Sequence, residues 1–256
     1  MSPKITWISS YPKSGNTMVR LFLSSYFFTE DGILHDFEPL KNISAFNNFN
    51  YYKSIKNFPN SDYFIKNPEE ISRYWLTAQS QINKQTKKNT IFLKTHNAQI
   101  KHNSNFFTNT NYTKCFIYIV RDPRSVLISS MKHYGNKNQN ESKLEILSDK
   151  RLTFANSKQR MPEFLLSWRS NFISWHNFAK INQGLGIIVK YEDLVLNKEK
   201  TFMFLLKFFL EKINENIDLI KFKKSLDSIN FEKLQKIENE KSFIEKSMQA
   251  DSFFRS

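Results

Sequence analysis

The chain has 256 residues, of which 40% are hydrophobic and 24% charged, and its formal net charge is +14. That hydrophobic share excludes a disordered chain, and the length suits one α/β domain or a small two-domain protein able to bury a substantial core. The charge asks for an anionic partner (nucleic acid, a membrane surface or acidic small molecules), but the lysines are scattered, with no dense basic run of the nucleic-acid-tail type.

The first predicted element is an apolar, β-rich run over residues 5–9, preceded only by Met1-Ser2-Pro3-Lys4, which has no signal-peptide core. A helical pattern follows over residues 17–28. Between them lies Tyr11-Pro12-Lys13-Ser14-Gly15-Asn16-Thr17. In an open α/β sheet, ligands bind beyond the carboxyl ends of the strands. A helix N-terminus placed there offers unpaired N–H groups and a positive dipole to phosphate. Gly15 lets backbone approach a ligand, Ser14, Asn16 and Thr17 add donors, and Lys13 adds charge. The pattern is not GxxxxGK[ST], because the lysine precedes the glycine. An ordinary strand–turn–helix junction, capped by Ser and Asn, reads the same residues equally well.

Residues 36–67 are rich in Asn and aromatics without a clear period, and a helix is predicted over 68–84. The second strand, residues 90–95, ends in Lys94-Thr95-His96. Strand alternation sends Lys94 and His96 to the same side, a cation beside a titratable imidazole. His96 is thus a candidate general base, against the plainer alternative of a surface or capping histidine.

The third strand, residues 115–121, begins at the only cysteine, Cys115, expected as a buried structural thiol. One cysteine allows no intrachain disulfide, which favours a reducing compartment. The strand ends in Arg121-Asp122-Pro123-Arg124. Asp122 and Pro123 suit the N-cap and first position of a helix over 123–134, which sets Ser125 and Ser129 one turn apart. Arg121 can hold a phosphate through two parallel bonds or serve a structural ion pair, and Ser129 alone reads as a plain surface serine.

Residues 135–160 are polar, and with 36–67 they are expected to form insertions that shape a lid or acceptor pocket. Helices are predicted over 163–181, with Trp168 and Trp175 packing in the core, and over 198–212. The fourth strand, residues 186–191, ends in Tyr191-Glu192-Asp193. Residues 214–247 read as charged and helical. No stretch is long enough to span a bilayer, so the expectation is a soluble, cytoplasmic protein without an integral membrane segment. Strands alternating with helices predict a parallel sheet with crossover connections, and four strand ends carry polar residues suited to one anion. The five histidines show no zinc-site spacing, so no metal is expected.

Taken together these motifs resemble the sulfotransferases that use 3′-phosphoadenosine 5′-phosphosulfate (PAPS). Residues 11–17 look like that family's 5′-phosphosulfate loop. Phe92-Leu93-Lys94-Thr95-His96 looks like its catalytic-histidine segment, and Ile119-Val120-Arg121-Asp122-Pro123-Arg124 through Ser129 like its 3′-phosphate motif. Lys190-Tyr191-Glu192-Asp193-Leu194 matches another recurrent segment and Asn230-Phe231-Glu232-Lys233-Leu234 a weaker one. The resemblance implies a three-layer, P-loop-like α/β fold with a central parallel sheet flanked by helices, spanning 1–256 as one domain. It implies PAPS as co-substrate, no metal, and a small-molecule or saccharide hydroxyl as acceptor.

By the same resemblance, Lys13 contacts the sulfate–phosphate bridge, and Ser14, Gly15, Asn16 and Thr17 cradle the 5′-phosphate. Arg121 and Ser129 hold the 3′-phosphate, while Tyr191 and Phe231 lie near the adenosine. His96 takes the acceptor proton, and Lys94 stabilises the sulfuryl group in flight. Met18 stands where the family often has an adenine-stacking tryptophan. Phe253-Phe254-Arg255-Ser256 looks like the start of a C-terminal Arg-x-Gly segment, so Arg255 is assigned to the cofactor and the last family segment is expected to be missing. Three other readings remain: a P-loop-type small-molecule kinase, which would need Mg²⁺ and carboxylates, a basic nucleic-acid-binding protein, and a degenerate member of the fold that binds cofactor without turnover.

Overall fold

Short β-branched and aromatic runs that are apolar on both faces need cover on both faces, and here the runs at 5–9, 90–95 and 115–121 become inner strands of a sheet while the one at 186–191 lies at its edge. The computed structural model describes residues 3–134, 138–153, 158–241, 243, 245 and 253. Its strands are β1 (Ile5–Ser10), β2 (Ser44–Ala45), β3 (Ile91–Thr95), β4 (Lys101–His102), β5 (Asn105–Phe106), β6 (Thr113–Val120), β7 (Leu152–Thr153), β8 (Glu163–Phe164) and β9 (Gly186–Lys190). Its α-helices are α1 (Asn16–Phe28), α2 (Ser61–Lys66), α3 (Trp75–Gln85), α4 (Pro123–Tyr134), α5 (Gln139–Leu147), α6 (Trp168–Ile181), α7 (Tyr191–Leu196), α8 (Lys198–Ile213), α9 (Leu219–Ser228) and α10 (Phe231–Lys241). A five-stranded sheet runs in the order β2-β3-β1-β6-β9. β1 pairs in parallel with β3 and β6, and β2 with β3, so the predicted parallel sheet with crossovers forms.

Contacts gather into two units, each discontinuous in sequence: residues 1–12, 44–120 and 144–188, and residues 13–43, 121–143 and 189–256. In the first unit every residue of β1 is buried. Trp7, Phe46, Trp75, Phe107, Phe116, Tyr118 and Trp175 form one aromatic core. Of the two tryptophans expected in the core, Trp175 is 0% exposed with its ring 5.0 Å from that of Phe116, whereas Trp168, at the start of α6, is only half-buried. The Trp175 indole N–H donates to the Asn97 carbonyl at 2.9 Å. Trp175→Ala therefore loses both packing and a bond, and is expected to cost about 3–5 kcal/mol. Urea unfolding checks this as a lowered midpoint at unchanged slope. Cys115 is buried and in no disulfide, with its sulfur 3.5 Å from the Thr6 hydroxyl, the structural thiol the sequence reading expects. In the second unit α1 packs against α8 and α9 through Phe22, whose ring lies 4.6 Å from Phe202 and 5.8 Å from Phe222.

Several predicted boundaries shift for local reasons. The helix expected from 163 starts at Trp168, because Leu166 sits at φ 58 and breaks it, and Ser167 caps α6 by accepting from the Ser170 N–H. Glu163–Phe164 instead pairs antiparallel with Leu152–Thr153. The helix expected over 68–84 is a 3₁₀ turn, Pro68–Tyr74, followed by α3. Tyr191 opens helix α7 and does not close the fourth strand. Residues 36–67 hold 3₁₀ turns, α2 and the edge strand β2, and so are more ordered than an insertion without period suggests. Among the described residues no helix is long and apolar enough to cross a membrane.

Candidate active site

In the first unit, parallel pairing of β1 with β3 sets Ser9 opposite Thr95, so the residues just beyond, Ser10 and His96, come together. His96 is 9% exposed. Its Nδ1 lies 2.7 Å from the Ser10 carbonyl oxygen and 3.3 Å from the Ser10 hydroxyl. A carbonyl only accepts, so Nδ1 carries a proton, and in the neutral ring the lone pair is then on Nε2. The main chain on either side is held as firmly. The His96 N–H donates to Glu163 Oε1 at 2.7 Å, and the His96 carbonyl accepts from Asn171 Nδ2 at 3.0 Å. The Thr95 hydroxyl donates to the same Glu163 oxygen at 3.2 Å, and Asn47 Nδ2 donates to the other at 3.1 Å. Asn171 is itself bonded by the Tyr118 hydroxyl at 2.8 Å.

Glu163 is 2% exposed. Burial raises its pKa above the ordinary carboxyl value, while the His96 N–H, the Lys94 charge, the Thr95 hydroxyl and the Arg160 charge pull it back. A carboxyl pKa raised by folding contributes stability below the ordinary range and loses it as pH rises through the folded pKa. Lys94 is half-buried on β3, and its charge reaches Glu163. Tyr11 is buried, and its hydroxyl accepts from Arg151 Nη1 at 2.9 Å. Sequence reasoning missed Glu163 and Asn171. The one available signal was an acid inside the apolar run Met161-Pro162-Glu163-Phe164-Leu165, since a buried carboxylate has to be paired.

In the second unit, the loop before α1 turns twice through left-handed backbone, at Lys13 (φ 64) and Gly15 (φ 97). A Cβ added at Gly15 would meet Tyr191 Cδ2 at 2.5 Å. Tyr191 carries the Arg121 guanidinium over its ring at 4.1 Å, and Arg121 Nη1 donates to the Lys13 carbonyl at 2.9 Å. Four of the predicted residues, Lys13, Gly15, Arg121 and Tyr191, are therefore in one packed cluster. Among the described residues no side chain caps α1, and its first turn has no acidic residue of its own. The Ser14 hydroxyl is buried with no hydrogen-bond partner among the described residues. Asn16 is buried, and Met18 half-buried, on that first turn.

The Thr17 hydroxyl donates to Glu245 Oε2 at 3.2 Å, and Arg20 pairs with Glu245 Oε1 at 2.6 Å. Lys13 Nζ stands 5.1 Å from the centre of the Phe253 ring. The Asp122 carboxylate caps α4 as expected, accepting from the Arg124 N–H at 2.8 Å, and Glu192 accepts from the Asp122 N–H at 3.0 Å. Ser129 is half-buried on α4 and Phe231 opens α10. Neither is joined to the cluster by a hydrogen bond or ring contact among the described residues. Arg255 lies outside the described residues. Among the described residues no group of three or more His, Cys, Asp or Glu side chains is arranged to hold a metal ion.

A family model described as "Sulfotransferase domain" matches residues 3–256. No curated protein sequence matches the chain. Retinol dehydratase, solved with androsterone and the inactive cofactor PAP, aligns over 100% of this chain and 74% of its own, with TM-score 0.59 and 18% identity. The same enzyme with retinol and PAP gives TM-score 0.56 at 18% identity. A mouse sulfotransferase complexed with PAP aligns over 91% of this chain and 66% of its own, with TM-score 0.53 and 16% identity. At such identities these likenesses show the fold.

Proposed function

The chain belongs to the sulfotransferase domain family, and from that premise we propose that it moves a sulfuryl group from PAPS to an acceptor hydroxyl. The start of α1 carries the reading. It has a helix dipole and no acidic residue of its own in the first turn, a buried Ser14 hydroxyl with no partner among the described residues, and a loop braced by Arg121, while the Thr17 hydroxyl is held by Glu245. That is donor chemistry suited to phosphate. The PAP bound by the solved relatives is theirs, and it supports the same class of donor here.

When bound, the donor supplies an activated sulfuryl group on a phosphate leaving group. His96 Nε2 takes the acceptor's proton as the acceptor oxygen bonds to sulfur and the bond from sulfur to the bridging phosphate oxygen breaks. Lys13 neutralises the charge left on that phosphate, and Lys94 stabilises the spread charge on the moving sulfuryl oxygens. Ser14, Gly15, Asn16 and Thr17 cradle the 5′-phosphate, and Arg121 and Ser129 hold the 3′-phosphate. Met18, Tyr191 and Phe231 lie beside the adenosine, and Arg255 belongs to the same cofactor set. The acceptor is a small-molecule or saccharide hydroxyl, and residues 1–256 act as one domain.

Adenosine 3′,5′-bisphosphate, the desulfated donor, is expected to stabilise the protein without Mg²⁺. At a hundredfold excess over Kd the gain is about 2.7 kcal/mol. For a chain of this length that raises Tm by about 5–10 °C. A thermal shift read with and without Mg²⁺, paired with transfer of labelled sulfate to hydroxyl acceptors, tests this. Stabilisation by Mg²⁺-ATP and none by the bisphosphate would overturn the reading in favour of a kinase.

A further inference from the structure

The buried polar network behind β3 does something that core packing alone does not require. Glu163 places both carboxylate oxygens on the segment that follows β3 and on its neighbour. Oε1 accepts from the His96 N–H at 2.7 Å and from the Thr95 hydroxyl at 3.2 Å, and Oε2 accepts from Asn47 Nδ2 at 3.1 Å. On the other side of the same residue, Asn171 Nδ2 donates to the His96 carbonyl at 3.0 Å. Asn97, next in the chain, is fixed through its side-chain oxygen by the Phe164 N–H at 2.8 Å and through its carbonyl by Trp175 at 2.9 Å. A buried carboxylate is expensive to keep unless it is fully bonded, and an apolar side chain would fill the space more cheaply. What the carboxylate adds is direction. It fixes the backbone of one histidine, so that the imidazole Nδ1 meets the Ser10 carbonyl at 2.7 Å and one tautomer is selected.

We infer that Glu163 is a positioning residue for His96, acting through the backbone N–H and not through the ring. The inference rests on the proposed role of His96 as proton acceptor, but it has a readout independent of turnover. The helix α6, through Asn171, and β8, through Glu163, both descend from the stretch that turns at Leu166 (φ 58). That left-handed residue separates Glu163 on β8 from the Ser167 cap of α6. Glu163 on β8 and Asn171 on α6 thus provide the clamp on the strand end, a role separate from any acceptor contact.

The test is the ring-nitrogen NMR spectrum of ¹⁵N-histidine-labelled full-length protein, read beside steady-state kinetics and adenosine 3′,5′-bisphosphate affinity. Wild type is expected to show His96 in the Nδ1–H form. Glu163→Ala removes the acceptor, and is expected to give a mixture of tautomers and a kcat lower by about 10–100-fold, with bisphosphate Kd within about twofold. Glu163→Gln keeps an oxygen for the His96 N–H, and is expected to retain the tautomer and to hold kcat within about threefold. Should the alanine variant fail to fold, Glu163→Asp, one methylene shorter, carries the same expectation as alanine. Retention of the tautomer and rate by the alanine or aspartate variant would overturn the assignment. So would a glutamine variant as impaired as alanine, or a loss of bisphosphate binding in proportion to the loss of rate. If the tautomer answers to Glu163 while no acceptor is sulfated, the positioning role stands and the sulfotransfer reading falls.

Discussion

Replacing His96 by alanine is expected to lower the rate of sulfuryl transfer by about 10²–10⁴-fold, the usual worth of a positioned general base. The neutral hydroxyl of an acceptor is a poor nucleophile, and its proton has to leave as the bond to sulfur forms. With Nδ1–H committed to the Ser10 carbonyl at 2.7 Å, Nε2 is the nitrogen with a lone pair for that proton. Alanine leaves only water to accept it. Lys13→Ala acts on the other side of the reaction, by removing a cation from the departing phosphate, and losing one preorganised charge-stabilising donor costs about 10²–10³-fold. The two variants are separable by binding. His96→Ala is expected to keep wild-type affinity for adenosine 3′,5′-bisphosphate, whereas Lys13→Ala weakens it. Initial rates with labelled donor, together with calorimetric titration of the bisphosphate, check both. Wild-type rates in both variants would sink the assignment of these roles.

The sheet and the motif loops were legible because their signals are local. Residues 5–9, 90–95 and 115–121 are nearly continuous in hydrophobicity and become inner strands of the sheet, whereas the equally apolar 186–191 becomes the edge strand β9 with only Val189 buried. Pro123 after Asp122 starts α4 where capping chemistry says it should. Gly15 beside Lys13 and Ser14 marks a turn into a helix, and the turn forms. What was not legible depends on contacts between residues far apart in the chain. Nothing near Tyr191 announces that its ring will lie under Arg121, 70 positions earlier in the sequence (191 less 121) and 4.1 Å away in space. Glu163 after Pro162 looks like the first turn of a helix, which is a sound local inference. It fails because Leu166 adopts a left-handed conformation that leucine propensity does not predict. The polar clamp on His96 is assembled from residues 47, 95, 163 and 171, and no period or motif in the sequence links them.

Gly15→Ala should be the most damaging conservative change in the loop, and its cost has two separable parts. The first is conformational. Gly15 sits at φ 97 and ψ 11, and an L-residue held in left-handed backbone costs about 1–2 kcal/mol. The second is steric. The new Cβ would stand 2.5 Å from Tyr191 Cδ2 and 3.1 Å from Cε2. The ring has little freedom to retreat, since the Arg121 guanidinium covers it at 4.1 Å and is itself tied to the Lys13 carbonyl at 2.9 Å. Overpacking of this kind adds about 1–3 kcal/mol, so a total loss of about 2–5 kcal/mol is expected in urea unfolding. Bisphosphate affinity is expected to fall by at least about tenfold, because moving the ring moves Arg121 and the loop carbonyl with it. Adding Tyr191→Ala separates the parts. If the clash contributes as the 2.5 Å approach requires, Gly15→Ala costs less in the Tyr191→Ala background than in wild type. Strictly additive costs would leave backbone strain as the whole effect and remove Tyr191 as the reason this position is glycine.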